Sequence, residues 1–151
     1  MTSPQLTAEE RRRLDQLAQE VLSYYAFDRP PVAIERILQE PPANLIEAVD
    51  VADLSIVFGI GEHRYEYRLA MARLLYREIC RSDDERARGL PTSNEASRYF
   101  ASTLLMPRDW VLKASRRPFV TLERLSTDFQ VPPYVMATRL AQLGRRVRGM
   151  E

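Results

Sequence analysis

Residues 93–110 read SNEASRYFASTLLMPRDW and predict an amphipathic helix with a clear start and a clear end. Ser93, or Thr92 before it, can supply the hydroxyl that accepts a backbone N–H of the first turn. Phe100 and Leu104 recur at helical spacing on one face. Pro107 ends the helix, because its ring cannot continue the hydrogen-bond ladder. The stretch therefore predicts a helix through residue 106 that buries one face.

The sequence around this stretch is mostly helical. A capping-box pattern, Thr7 followed by Glu10, precedes apolar residues at helical spacing. The predicted helices are residues 8–25, 31–39, 64–81, 93–106, 108–114, 122–129 and 133–143. Residues 45–49 and 54–60 are instead read as two short strands, since the second is rich in β-branched and aromatic residues between chain breakers. We expect an α+β fold, predominantly helical, with one small sheet.

Composition bounds the possible classes of protein. The chain has 151 residues, of which 45% are hydrophobic and 28% charged, as in an ordinary globular domain. Its formal net charge of +1 provides no global field for nucleic acid or membrane. One cysteine and one histidine exclude a disulfide framework within the chain and any site that needs two imidazoles. We find neither an export signal nor a membrane span, so we expect a cytoplasmic protein.

Two segments resemble the second half of the ImmA/IrrE family of zinc metallopeptidases. The family shows FA-x-x-LLMP at the end of a helix, then LA-x-x-F-x-VS-x-x-x-x-x-RL-x-x-LG. The matching positions are Phe100, Ala101, Leu104, Leu105, Met106 and Pro107 in the first pattern and Leu125, Phe129, Val131, Arg139, Leu140, Leu143 and Gly144 in the second. Residues 31–37 are similar to the family's helix before its small sheet. The resemblance implies a zincin-like domain over residues 8–144.

The resemblance also implies a helix with the motif HExxH, whose two histidines bind Zn²⁺ and whose glutamate is the general base. Residues 68–77 are most similar to this helix. Arg73 and Arg77 stand at the two histidine positions, and Leu74 stands at the position of the base. The family's third ligand is an acid on the next helix, where Glu95 is the nearest candidate. A guanidinium stays protonated and does not coordinate zinc, so these four residues predict a vestigial site without metal or cofactor.

The domain organisation and the function follow from the same resemblance. We expect a single domain, 1–151, with a peptidase-like core (8–120), a C-terminal helical pair (121–144) and a basic tail (145–151). Active members of the family cleave or antagonise DNA-binding repressors. The resemblance therefore implies a catalytically inactive homologue that acts as a regulatory protein-binding module, with a helix-turn-helix repressor as its partner and no membrane association.

Two alternatives belong to other classes. Residues 122–144 also read as a helix-turn-helix, in which Arg139, Arg145 and Arg146 would touch DNA phosphates or a partner. A residual metallohydrolase would use His63 together with nearby acids. The missing histidines and base favour a chain that is not an enzyme.

The replaced positions also predict an ion pair. Arg73 and Arg77 are four residues apart on one helix face, where like charges repel each other. An acid facing them would remove this penalty, and three acids are close by in the sequence or on the next helix. These are Glu78, Asp84 and Glu95. The hypothesis is that one of them forms a salt bridge where the metal would lie; the alternative is that both arginines point into solvent.

Overall fold

The computed structural model describes residues 5–42 and 65–150, and in these two ranges the chain is helical. The α-helices there are α1 (Ala8–Tyr24), α2 (Ile34–Gln39), α3 (Glu66–Arg81), α4 (Asn94–Leu105), α5 (Arg108–Ser115), α6 (Leu122–Phe129) and α7 (Pro133–Gln142). A short 3-10 helix, Glu85–Ala87, lies between α3 and α4. Each of these α-helices overlaps a predicted one, so the helical part of the prediction is confirmed.

Helix α1 begins with the predicted capping box. Thr7 Oγ1 accepts a hydrogen bond from the backbone N–H of Glu10 (3.1 Å), and Glu10 Oε1 accepts one from the backbone N–H of Thr7 (2.9 Å). Two N–H groups that have no partner within the helix are thereby satisfied. The buried face of α1 consists of Leu14, Leu17, Ala18, Val21 and Leu22.

Helix α4 is central, because both α1 and α3 pack against it. Its Phe100 and Leu104 are fully buried. The Phe100 ring lies against the Tyr76 ring of α3, with 5.0 Å between the ring centroids. Burial of one such side chain contributes roughly 1.5–3 kcal/mol to stability. The apolar face predicted for this helix is therefore buried in the hydrophobic core of the described structure.

The predicted α+β class is wrong for the part of the chain that the structure describes. Residues 5–42 and 65–150 contain no strand and no sheet, and their only β-type pairing is an isolated bridge between Thr121 and Arg148. The two predicted strands, 45–49 and 54–60, lie outside the described residues. Their prediction depended on the composition of short apolar runs, which cannot by itself distinguish a strand from other buried segments.

Helices α6 and α7 form the predicted C-terminal pair. The backbone N–H of Arg124 donates to Thr121 Oγ1 at the start of α6, and α6 ends at Gln130, whose φ of 54° is left-handed. After α7 the chain returns to α6, where the backbone N–H of Leu122 donates to the carbonyl of Arg148 (2.7 Å). The basic tail therefore lies against α6. The division into 8–120, 121–144 and 145–151 stays a prediction.

Arg68 of α3 connects three segments from a buried position. Its side chain is 2% exposed. Its Nη2 donates to the carbonyl of Val32, its Nε donates to the carbonyl of Gln130 (3.0 Å), and its Nη1 contacts the Glu35 carboxylate (3.2 Å). Val32 lies just before α2, Glu35 is in the first turn of α2, and Gln130 lies between α6 and α7. The Arg68 guanidinium thus holds α3 against the start of α2 and against the turn between α6 and α7.

We expect Arg68→Met to lower the free energy of unfolding by about 3 kcal/mol, because two carbonyls and a carboxylate lose their donor. Urea unfolding followed by circular dichroism measures the change. Arg77→Met is the matched control: Arg77 is exposed on the same helix, and its substitution should change stability by less than about 0.5 kcal/mol. Equal effects of the two substitutions would contradict the role assigned to Arg68.

A second arginine holds the segment between α3 and α4 against α1. Asp84 Oδ1 accepts hydrogen bonds from the backbone N–H and from Nε of Arg86, both at 2.8 Å. Arg86 Nη1 also contacts Glu20 of α1 at 3.2 Å. The side-chain and backbone hydrogen bonds from Arg86 lower the pKa of Asp84 from 3.8 to about 2.

The Asp84 contacts predict a dependence of stability on pH. A carboxylate whose pKa is lowered by folding stabilises the folded state above its ordinary pKa, and this contribution is lost as the pH falls through the lowered value. We expect Asp84→Asn to cost about 1 kcal/mol at pH 7, after screening at this partly exposed site, and to cost only a small fraction of this near pH 2. Urea unfolding of both proteins at the two pH values measures this. Asp83→Asn, in the same loop, should change stability by less than about 0.5 kcal/mol at pH 7.

Candidate functional site

An open cleft of about 950 Å³ lies between α1, α3, α4 and α7. Sites for small molecules typically measure roughly 300–1,000 Å³. Apolar side chains, among them Leu69, Val135 and Leu143, form part of its lining. The charged side chains of the lining are five arginines and three acids, namely Arg11, Arg73, Arg98, Arg108, Arg139, Asp15, Glu66 and Glu95. The cleft therefore combines an apolar surface with an excess of positive charge.

The structure brings two of the four predicted vestigial residues into this cleft. Arg73 of α3 and Glu95 of α4 both line it. Leu74 is buried in the hydrophobic core instead, and Arg77 is exposed outside the lining. A helix places consecutive residues on different faces, which separates Leu74 from Arg73.

Arg73 is partly buried and forms no hydrogen bond or salt bridge with residues 5–42 and 65–150. Its Nε is fully buried, and a buried donor without an acceptor is costly. Burial lowers the pKa of Arg73, and the positive charges of Arg98 and Arg77 lower it further. The guanidinium is still protonated at neutral pH. It is a positively charged donor at the wall of an open cleft.

The predicted ion pair at this position is wrong. Among the described residues, Arg73 and Arg77 form no salt bridge with any acid. Glu78 lies 3.4 Å from Arg81, and Asp84 lies 2.8 Å from Arg86. Glu95 is in no ion pair of the described part of the chain. The three candidate acids therefore leave the charge of Arg73 uncompensated.

A polar network forms the wall between α1 and α4. The Tyr99 hydroxyl donates to Asp15 Oδ1 (2.9 Å), and the Thr103 hydroxyl donates to the same oxygen (3.4 Å). Burial, followed by the hydrogen bond to Asp15, raises the pKa of Tyr99. Both hydrogen bonds go to the same carboxylate oxygen of Asp15 and join α4 to α1.

The residues predicted to contact DNA or a partner differ in their surroundings. Arg139 is 4% exposed, and its Nε donates to the carbonyl of Met106 (2.9 Å). Burial lowers its pKa. Arg145 donates to Ser115 Oγ (3.1 Å), whereas Arg146 is exposed. Arg139 therefore connects α7 to the end of α4, and of the three arginines only Arg146 has a freely exposed side chain.

The possible reading helix, α7, faces the cleft. Tyr134, Thr138 and Gln142, on one face of α7, line it. The Tyr134 hydroxyl donates to Glu66 Oε1 of α3 (2.8 Å), which connects α7 to the opposite wall. A helix that enters a DNA groove must project from the protein surface, and this face of α7 borders a concavity instead.

The sequence analysis did not identify Arg98, Tyr99 and Asp15 as residues of the candidate site, although all three line the cleft. Helical spacing could have placed Arg98 at the cleft. Glu95, Arg98 and Ser102 share one face of α4, opposite the buried Phe100, and Glu95 is already a candidate site residue. No signal in the sequence connects Asp15 to Tyr99, since their contact joins two helices 84 residues apart in sequence.

The described residues contain no group of three or more His, Cys, Asp or Glu side chains placed to hold a metal ion. His63 lies outside the described residues. The chain matches no family model, no curated protein and no solved structure, so the resemblance to ImmA/IrrE peptidases stays a prediction. In the described part of the chain, no helix has the length and apolar character needed to cross a membrane.

The unpartnered donor of Arg73 predicts an unusual effect on stability. We expect Arg73→Met to raise the free energy of unfolding by about 1 kcal/mol, because it removes a buried unsatisfied group and the repulsion from Arg98 and Arg77. Urea unfolding measures the change. Arg77→Met should shift stability by less than about 0.5 kcal/mol. A clear loss of stability in Arg73→Met would show that Arg73 has a structural role.

Proposed function

We propose that this chain is a catalytically inactive relative of the ImmA/IrrE peptidases that acts as a regulatory protein-binding module in the cytoplasm. In this proposal the cleft between α1, α3, α4 and α7 receives a segment of a partner protein. The resemblance makes a helix-turn-helix repressor the class of partner that we favour. The partner is held without being cut.

The observation that carries this proposal is the position of Arg73. It lines the cleft with a buried Nε that lacks a hydrogen-bond partner, and a guanidinium cannot take the place of a zinc-binding imidazole. Local features that are costly to the folded protein are typical of functional sites. The same position therefore disfavours metal-dependent cleavage and favours binding.

The lining of the cleft is suited to a polypeptide. The lining contains apolar side chains such as Leu69 and Val135 together with hydrogen-bonding side chains such as Tyr134 and Thr138. Clefts that bind specific ligands combine an apolar surface with a few polar groups. A peptide segment offers both kinds of contact.

The DNA-binding alternative is less well supported. Its reading helix would be α7, whose outer face borders the cleft, and its central contact Arg139 is 4% exposed. Arg146 alone is a weak basis for phosphate recognition, because DNA-binding domains use several basic residues on one face.

The test selects short random peptides displayed on phage against the full-length chain. We expect selected peptides to bind the wild type and to bind Thr138→Trp at least about tenfold more weakly, because the indole would fill part of the cleft. Fluorescence anisotropy measures the affinities. Thr127→Trp is the matched control, since Thr127 is exposed on α6 outside the cleft lining; it should bind like the wild type.

Three results would overturn the proposal. The first is that no peptide is enriched, or that Thr138→Trp and Thr127→Trp bind the peptides equally. The second is retention on duplex DNA that falls steeply with salt, which indicates phosphate contacts. The third is stoichiometric zinc in protein purified without chelator, together with peptide hydrolysis that a chelator stops.

A further inference from the structure

The charges around Arg73 are unbalanced within the cleft. Arg98, on the neighbouring helix, adds a second guanidinium at the same wall, and its charge reaches Arg73. Neither arginine forms a salt bridge or a side-chain hydrogen bond within residues 5–42 and 65–150. Two guanidinium groups in one wall, without an acceptor, form a site that attracts an anion.

The acids of the cleft are mostly engaged elsewhere. Asp15 accepts hydrogen bonds from Tyr99 and Thr103, and Glu66 accepts one from Tyr134. Glu95 alone has no partner in the described part of the chain, yet it forms no salt bridge with either arginine. The donor groups of Arg73 and Arg98 are therefore free for a ligand.

We propose that Arg73 and Arg98 form a carboxylate subsite that takes the side chain of an aspartate or glutamate. The proposal rests on the proposed function in one respect, namely that this acid belongs to the polypeptide bound in the cleft. A guanidinium presents a planar edge of N–H donors that matches the two oxygens of a carboxylate. The Nη groups of Arg73 and Arg98 form no hydrogen bond within residues 5–42 and 65–150, so a bound carboxylate would supply the acceptor that they lack.

The proposed function favours a carboxylate over a phosphate. An aspartate or glutamate side chain is the anion that an unmodified polypeptide carries. A guanidinium also matches the oxygens of a phosphate, so inorganic phosphate is a separate arm of the test.

The direct test uses N-acetyl-glutamate N-methylamide as the probe and the glutamine analogue as its neutral counterpart. Full-length protein with ¹⁵N-labelled arginine is titrated in low-chloride buffer, and the Nε–Hε resonances are followed by NMR. We expect the Arg73 resonance to shift and saturate with the glutamate probe, and to move at least about tenfold less with the glutamine probe at the same concentration. Inorganic phosphate is titrated as a separate arm.

Two variants and one control connect the effect to the subsite. In Arg98→Gln we expect the glutamate probe to bind at least about fivefold more weakly, because one of the two guanidinium groups is lost. Arg77→Gln removes the same charge from an exposed position outside the cleft lining, and should change the affinity less than about twofold. Glu95→Gln removes an acid that would repel the probe, so binding should become tighter. Circular dichroism checks that each variant is folded.

Several results would overturn the subsite. The first is an equal shift of the Arg73 resonance with the two probes. The second is an equal loss of affinity for the glutamate probe in Arg98→Gln and Arg77→Gln. The third is binding of inorganic phosphate with no response to the glutamate probe. Failure of the subsite is distinguishable from failure of the proposed function. If peptides bind the cleft but the glutamate probe does not, the subsite is wrong and the module stands. If the probe binds but no peptide is selected, the subsite stands and the module is wrong.

Discussion

Arg68 donates to the carbonyls of Val32 and Gln130 and contacts the Glu35 carboxylate, so one buried guanidinium holds α3 against α2 and against the turn between α6 and α7. Helices α3 and α7 are two walls of the cleft. Their separation depends on this contact, since the Arg68 side chain joins one wall to the turn that leads into the other. Any residue of α3 that faces the cleft, Arg73 included, takes its position from the same anchor.

Arg68 and Arg73 lie on the same helix and illustrate two opposite uses of a guanidinium. Arg68 finds an acceptor for each of its nitrogen groups, which makes its burial compatible with stability. Arg73 keeps a buried Nε without an acceptor. The first arrangement holds the helices together, whereas the second leaves a buried donor without an acceptor in the described part of the chain. Only four residues, 69–72, lie between the two arginines along α3.

The helices could be predicted where local rules are strong. The capping box of Thr7 and the apolar spacing of α1 and α4 are local, and the structure follows them. Helix α2 is predicted from residue 31 but begins at Ile34, and the carbonyl of Val32 before it accepts hydrogen bonds from Arg68 and from the backbone N–H of Ile34. Arg73 and Glu95, which the resemblance assigns to one vestigial site, both line the cleft. The burial of Arg68 and Arg139 could not be predicted, since spacing does not distinguish a buried arginine from an exposed one.

The unsatisfied donor of Arg73 also links the lifetime of the protein to its surroundings. A ligand that binds only the folded chain shifts the unfolding equilibrium toward the folded state, by an amount that grows with the concentration of free ligand. A chain whose cleft holds an unpaired guanidinium is least stable when alone and gains resistance to proteolysis when the cleft is filled. The abundance of such a protein would follow the abundance of whatever it binds.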